Sequence, residues 1–347
     1  MENGITSTLL FPHLIDWAIT GRCNLHCQHC RGMPKGELTT SRALNLVDEI
    51  AELKPGWVII EGGEPILRED LFAILGKLVF NQIPVHLITN GMLLNNALLS
   101  ALDHLTVKLM ISIDGASPET YESIRNGANF LTVINSTQEC ARRGLLEAIN
   151  FTVCKSNYTE IPKLFALAAG LGANKINLIG LKPCHHYKAE LLSPVEYLEA
   201  IKLTCQSAHE TGLNFFFDEP FFHAVAHEYQ LLHRTADGVA GILAPSTTAC
   251  IFGEYIFIEP DGGVKPCSFS PMSLDNINNK PLVEIWQNIS TAAFINRIKS
   301  AANRNGDCSN CAYLNTCKGC RSRTYALTGD WFGSDTCCPL TLKLEET

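Results

Sequence analysis

The sequence predicts an α/β protein: a parallel sheet with intervening helices, followed by a small module dense in cysteine. Three observations carry this. Short apolar runs alternate with stretches of helical periodicity from Leu14 to Leu178. From Cys250 onward the strands become short and a Pro260-Asp261-Gly262-Gly263 turn signal joins two of them. The fifteen cysteines are clustered, three at Cys23, Cys27 and Cys30 and eight between Cys250 and Cys338.

In chain order, Leu14 to Thr20 reads as a strand and Ser41 to Leu53 has helical spacing. Trp57 to Ile60 is a short apolar run of the kind a buried strand needs, Leu71 to Phe80 is helical, and Val85 to Thr89 is a strand. Val107 to Ile113 is the next strand, with a helix from about Asn129 to Arg143. Ile149 to Val153 and Lys175 to Leu178 are further strands around a helix at Ile161 to Leu171. Six strands with intervening helices imply a parallel sheet, open or barrel-like, with functional residues after the strand C-termini. The expected division is residues 1–185 for this core, 186–245 for a bridging segment with a helix and the run Phe215-Phe216-Phe217, and 246–347 for the cysteine-rich domain. That last part has too little apolar content for a core of its own and is expected to lean on metal clusters.

Composition excludes several classes. Of 347 residues 46% are hydrophobic and 18% charged, so the chain is not disordered. A net charge of −8 and the lack of a basic stripe argue against nucleic-acid binding. No apolar run reaches a membrane span, and the N-terminus shows no signal pattern, so the expectation is cytoplasmic with no membrane partner. Clustered cysteines in such a chain point to metal or redox chemistry rather than disulfides.

Cys23-x3-Cys27-x2-Cys30 follows directly on the first strand. Three thiolates in one loop can hold a corner of an iron–sulfur cube and leave one iron open, or form a zinc site with His26 or His29 as fourth ligand. This spacing resembles the signature of radical S-adenosylmethionine (SAM) enzymes. In that family the thiolates hold a [4Fe–4S] cluster, the open iron is chelated by SAM, and reductive cleavage yields a 5′-deoxyadenosyl radical that abstracts hydrogen from substrate. Many members have an aromatic residue before the last cysteine; here it is His29.

Other motifs agree with the resemblance. Gly62-Gly63-Glu64-Pro65 matches the motif that receives the SAM amino group, and Thr89-Asn90-Gly91 and Ser112-Ile113-Asp114-Gly115 end the next two strands. By position Asn90, Ser112, Asp114 and Arg125 become SAM contacts, and the fold a partial (β/α)6 barrel over about residues 10 to 185. Alone, the Gly-Gly pair reads as a turn, Asp114 as a cap and Arg125 as a surface residue.

The C-terminal pattern is Cys250-x11-Gly262-x4-Cys267, then Cys308-x2-Cys311-x5-Cys317-x2-Cys320, then Cys337-Cys338. It resembles the SPASM domain, which holds two auxiliary [4Fe–4S] clusters. The resemblance implies Cys250, Cys267 and Cys320 for the first, its fourth site open or filled by substrate, carboxylate or water. It implies Cys308, Cys311, Cys317 and one of the doublet, Cys338 before Cys337, for the second. The gap from Cys317 to Cys320 is two residues where many members have three. A pair of zinc ribbons is the alternative.

Asp218-Glu219 is a candidate proton acceptor near the substrate, or an acidic pair opening the helix before Phe221. His185, His186 and Cys184 follow the sixth strand in a loop, and His223, His227 and His233 read as surface histidines on a helix. Cys140, Cys154 and Cys205 read as buried apolar residues.

The stretches Lys318 to Tyr325 and Thr328-Gly329-Asp330 resemble members that build cofactors, in heme, heme d1 and tungsten-oxidoreductase maturation, and are also similar to peptide-modifying maturases. The substrate expectation is a tetrapyrrole- or pterin-type cofactor precursor, since no peptide-recognition domain precedes the barrel. A peptide substrate is the alternative within the class, and an iron–sulfur electron carrier the alternative outside it. The resemblance further implies a ferredoxin, flavodoxin or reductase as electron donor, in anaerobic metabolism.

Overall fold

The computed structural model describes residues 11–183, 187–231, 234–235, 238–239 and 250–343. Cys184, His185, His186 and His233 lie outside the described residues. Along the chain the elements are β1 (Leu14–Thr20), β2 (His26–Cys27), α1 (Thr40–Leu53), β3 (Trp57–Gly62), α2 (Leu71–Phe80), β4 (Val85–Thr89), α3 (Asn96–His104), β5 (Lys108–Ser112), α4 (Pro118–Ile124) and β6 (Arg125–Asn126). Then come α5 (Phe130–Arg142), β7 (Leu146–Val153), α6 (Ile161–Gly170), β8 (Lys175–Gly180), α7 (Pro194–Thr211), β9 (Asn214–Asp218), α8 (Phe222–Glu228), β10 (Arg234–Thr235) and β11 (Gly238–Val239). The chain ends with β12 (Ile256–Ile258), β13 (Gly263–Lys265), β14 (Asp275–Asn276), α9 (Leu282–Thr291), α10 (Ala293–Lys299), α11 (Leu314–Cys317) and α12 (Arg321–Thr328).

All six expected strands form. Two compact units emerge, neither a continuous stretch of chain: one of residues 1–22, 33–85 and 251–300, the other of 23–32, 86–250 and 301–347.

In the first unit β1 pairs in parallel with β3 on one side and β12 on the other, and β12, β13 and β14 continue antiparallel. The hairpin expected at Pro260 to Gly263 is the β12–β13 turn. α1 starts at Thr39, whose hydroxyl accepts the Arg42 N–H, and buries Ala43, Leu46, Val47, Ile50 and Leu53 along one face. Residues 251–300 carry the amphipathic α9, which buries Leu282, Ile285, Trp286 and Ile289. The Leu282 N–H donates to Glu49 on α1, and Arg42 donates to the Ile277 carbonyl. This segment therefore has an apolar face of its own and shares a core with the first strands. Composition averaged over the segment hides a helix whose apolar residues are spaced at i, i+3, i+4 and i+7.

In the second unit β4, β5, β7, β8 and β9 form a parallel array. The aromatic run is β9: Phe215 and Phe217 are buried while Phe216 is 41% exposed, the period-two alternation of a strand. α7 is fixed by a capping box between Ser193 and Glu196 and stops at Gly212 in the left-handed conformation. Cys140, Cys154 and Cys205 are buried as expected, and burial pushes each thiol up to about 12. No helix among the described residues is long and apolar enough to cross a membrane.

Candidate SAM and iron–sulfur sites

The first unit positions Gly62 to Pro65. Gly62 pairs with Thr20 at the end of β1, at φ +153°, and a Cβ there would stand 2.4 Å from the Thr20 carbonyl oxygen. Only glycine fits. The next two N–H groups donate to the Thr20 and Arg22 carbonyls at 2.8 Å each, and the buried Glu64 carboxylate accepts the Ile66 N–H. Beneath the turn, buried Arg68 donates to the Ile19 and Leu38 carbonyls and pairs with Asp70. Gly62→Ala is therefore expected to cost about 1–3 kcal/mol and displace the turn. A urea midpoint and SAM titration unchanged from the parent would refute this role.

The second unit positions the cysteine loop. His26 and Cys27 pair antiparallel with Asn126 and Arg125. Gln28 is held by the Ile124 carbonyl through its N–H and by the Ser123 carbonyl through its amide, and Asn90 donates to Asn24 at 2.9 Å. The Leu25 and Gly32 N–H groups point at the Cys23 and Cys30 sulfurs, at 3.5 and 3.4 Å. Cys23 and Cys30 are exposed, and all the described cysteines are free thiols. Three soft donors on a short loop, two of them open to incoming iron and each with an N–H donor at its sulfur, fit a cluster corner.

Asp114, fully buried just beyond β5, ties this loop to the sheet. His29 Nε2 lies 2.7 Å from its Oδ2, Arg125 donates to the same oxygen at 2.7 Å, and the Thr152 N–H donates to Oδ1 at 2.6 Å. Burial alone would raise its carboxyl, but the Arg125 charge and His29 hold it well below the usual carboxylate range. Both its oxygens are engaged inside the chain, so Asp114 holds Arg125 and His29 in place. His29 thus has a partner that a phenylalanine at this position could not have used. Ser112 ends β5 and is buried, as is Asn90 after β4. Burial pushes the Cys27 thiol up to about 11, against the pull of Arg125.

The later cysteines fall into groups. Cys308, Cys311 and Cys317 lie on turns stitched by the Cys308 carbonyl to the Cys311 N–H and by the Cys311 carbonyl to the Leu314 N–H. Tyr313 and Gly319 N–H groups point at the Cys311 and Cys317 sulfurs. Cys338 lies within electrostatic reach of Cys317 and Cys308, whereas Cys337 faces Arg323, Asp335 and Glu219. Cys250 is bonded through its N–H to the Cys317 carbonyl and lies within electrostatic reach of Cys320. Cys267 belongs to the first unit, beside Ala18, Tyr255 and Phe257.

Asp218 and Glu219 separate. Glu219 is fully buried, and its Oε1 accepts from Arg323 at 2.7 Å, Tyr197 at 3.0 Å and Lys182 at 3.4 Å. Arg323 in turn makes a forked pair with Asp335, whose carboxylate accepts the Cys320 and Cys337 N–H groups. Glu219 is thus held inside a buried ion network, and Asp218, with a side chain 43% exposed and 3.3 Å from Lys182, is the open carboxylate of the pair. In the sequence Arg323 stands out only within the stretch Lys318 to Tyr325, and nothing marks Lys182 or Asp335. Arg323 and Asp335 lie more than a hundred residues along the chain from Lys182 and Glu219, and no local pattern marks them. His227 is exposed and bonded to Tyr313, a surface histidine as expected.

The sequence model of the Radical SAM superfamily matches residues 17–168, and that of the SPASM iron–sulfur cluster-binding domain matches residues 250–321. The AdoMet-dependent heme synthase of Methanosarcina barkeri is 32% identical over 94% of this chain and 96% of its own. The mycofactocin maturase MftC of Mycobacterium ulcerans is 25% identical over 89% and 82%. Among solved structures, Streptococcus suis SuiB bound to S-adenosylmethionine aligns with a TM-score of 0.74 at 16% identity, over 94% of this chain and 77% of SuiB. The anSMEcpe structure with bound AdoMet aligns at 0.72 and 18%, over 96% and 94%. The chain belongs to the radical SAM superfamily, in the branch that carries a SPASM domain. It is an enzyme whose cofactors are SAM, a [4Fe–4S] cluster at the SAM site and auxiliary [4Fe–4S] clusters.

Proposed function

We propose that this enzyme acts on an iron tetrapyrrole, processing its side chains toward heme. The observation that carries the reading is the 32% identity to a heme synthase over nearly the full length of both chains. When bound, the cluster and SAM supply one-electron cleavage of SAM and a radical able to abstract hydrogen. In this reading Cys23, Cys27 and Cys30 hold that cluster, Gly62 to Pro65 receive the SAM amino group, and Asn90, Ser112, Asp114 and Arg125 shape the rest of the SAM environment. Cys250, Cys267 and Cys320 hold one auxiliary cluster, and Cys308, Cys311, Cys317 and Cys338 the other. Asp218 is the proton acceptor, because it is the carboxylate of its pair left partly open to a substrate. A ferredoxin, flavodoxin or reductase delivers the electron in the cytoplasm, a compartment that keeps the described thiols reduced.

The test is anaerobic turnover of the iron-loaded protein with SAM, dithionite and Fe-coproporphyrin III. Mass spectrometry should show 5′-deoxyadenosine together with a tetrapyrrole that has lost carbon dioxide from its side chains. If 5′-deoxyadenosine forms while the tetrapyrrole is untouched, another substrate class, such as a peptide, replaces this one. If the loaded protein forms none, the assignment of Cys23, Cys27, Cys30 and Gly62 to Pro65 to the SAM site fails. Asp218→Asn should retain its iron and lose turnover by about a hundredfold or more.

A further inference from the structure

Arg125 is 7% exposed and lies against a ligand sulfur: its Nη1 is 3.8 Å from Cys27 Sγ. It is fixed there twice over. Its Nε and Nη2 both reach Asp114 Oδ2 at 2.7 Å, and Cys27 faces Arg125 across the β2–β6 ladder. A second observation points to the same place. Among the described residues the buried Tyr121 hydroxyl has no hydrogen-bond partner, and the charges around it are Arg125, Asp114, Cys27 and Glu122. An unpaired buried hydroxyl costs about 1–3 kcal/mol. Such a group is completed by an ordered water or by a bound partner.

We propose that Arg125, held by Asp114 and assisted by the Tyr121 hydroxyl, raises the reduction potential of the SAM-site cluster by hydrogen-bonding at the Cys27 sulfur. This rests on the reading of Cys23, Cys27 and Cys30 as that cluster's ligands. Reduction adds one electron to the cluster, from an external reductant, with no proton. A fixed guanidinium at a ligand sulfur favours the more negative, reduced form over the oxidised one. Arg125 is thus a positioning residue acting through the Cys27 sulfur. Asp114 serves to aim it: a guanidinium anchored on one side by a fully buried carboxylate presents its remaining N–H to the sulfur at no further entropic cost.

The experiment is a stepwise reductive titration of the full-length, iron-loaded protein with titanium(III) citrate, followed by electron paramagnetic resonance. The signal that changes on adding SAM belongs to the cluster with the open iron. In Arg125→Gln the ratio of reduced to oxidised cluster at a fixed potential should fall about tenfold, a midpoint about 59 mV lower for a one-electron couple. Tyr121→Phe should shift it the same way by about two- to threefold. Affinity of the oxidised protein for SAM should stay within about twofold of the parent in Tyr121→Phe, which removes no SAM contact. An unchanged midpoint with SAM binding weakened tenfold or more overturns the proposal, since Arg125 would then be holding SAM itself. Should Arg125→Gln lose the cluster, Arg125→Lys and Tyr121→Phe decide, and parental midpoints in both overturn it. Failure of the underlying ligand reading shows separately, as a parent protein with no SAM-responsive signal.

Discussion

Cys27→Ala is expected to abolish 5′-deoxyadenosine formation and to remove about four irons per chain, leaving the auxiliary clusters in place. Removing outer partners of a metal ligand already costs about 10–100-fold in affinity or activity, so removing a ligand exceeds that. Cys27 is the member of the trio most embedded in the fold. Cys23 and Cys30 are exposed, whereas Cys27 sits in the β2–β6 ladder with Arg125 at its sulfur. Iron analysis and mass spectrometry on the same sample give the result. Parental iron together with parental 5′-deoxyadenosine would remove Cys27 from the ligand set. Cys205→Ala is the control: a buried thiol that should leave both readings unchanged.

Arg323→Met is expected to destabilise the protein by about 3–5 kcal/mol. Arg323 is fully buried and is the cation between Glu219 and Asp335, themselves buried. Taking it away leaves two carboxylates in low dielectric, with Lys182 reaching only Glu219 of the two. Glu219→Gln should cost less, because Arg323 keeps its forked pair with Asp335. Urea midpoints on anaerobically purified protein measure both, and equal losses would mean that the network is not centred on Arg323.

The pH dependence separates parent from variant. Burial acts to raise the Asp335 carboxyl, but Arg323 outweighs it and holds it below the usual range. A lowered folded value contributes stability that is complete above the unfolded value, about 3.9, and is lost as pH falls through the folded one. The parent should therefore hold this contribution from neutral pH down to about pH 4. In Arg323→Met the sign reverses. Asp335, left buried with only the weaker pull of Arg321, is then raised, protonation relieves it, and the deficit measured at neutral pH should narrow as the solution is acidified.

How much of this was legible in the sequence depends on how local the determinant is. β1, β4 and α2 begin and end at the residues expected for them, because the apolar period and the breakers that set their ends lie within the same few residues. The cysteine loop and the Gly62 turn were equally plain, since spacing along the chain is what lets three thiolates meet one cluster and lets two glycines follow a strand. β9 was read only as an aromatic run, since three adjacent phenylalanines mask the alternation that burial later reveals. α9 and α10 were hidden behind the cysteine count of their neighbourhood.

The sequence by itself therefore determined the class of enzyme and the parallel character of the first strands. The tertiary structure decided which charges meet. It placed Asp114 between His29 and Arg125, set Arg125 against the Cys27 sulfur, and buried Arg323 between Glu219 and Asp335. It also drew residues 251–300 into the core of the first strands. The physical reason is the same in each case. Periodicity and spacing are properties of neighbouring residues, whereas a buried ion is stable only where the fold delivers its counter-ion, and that partner can come from any distance along the chain.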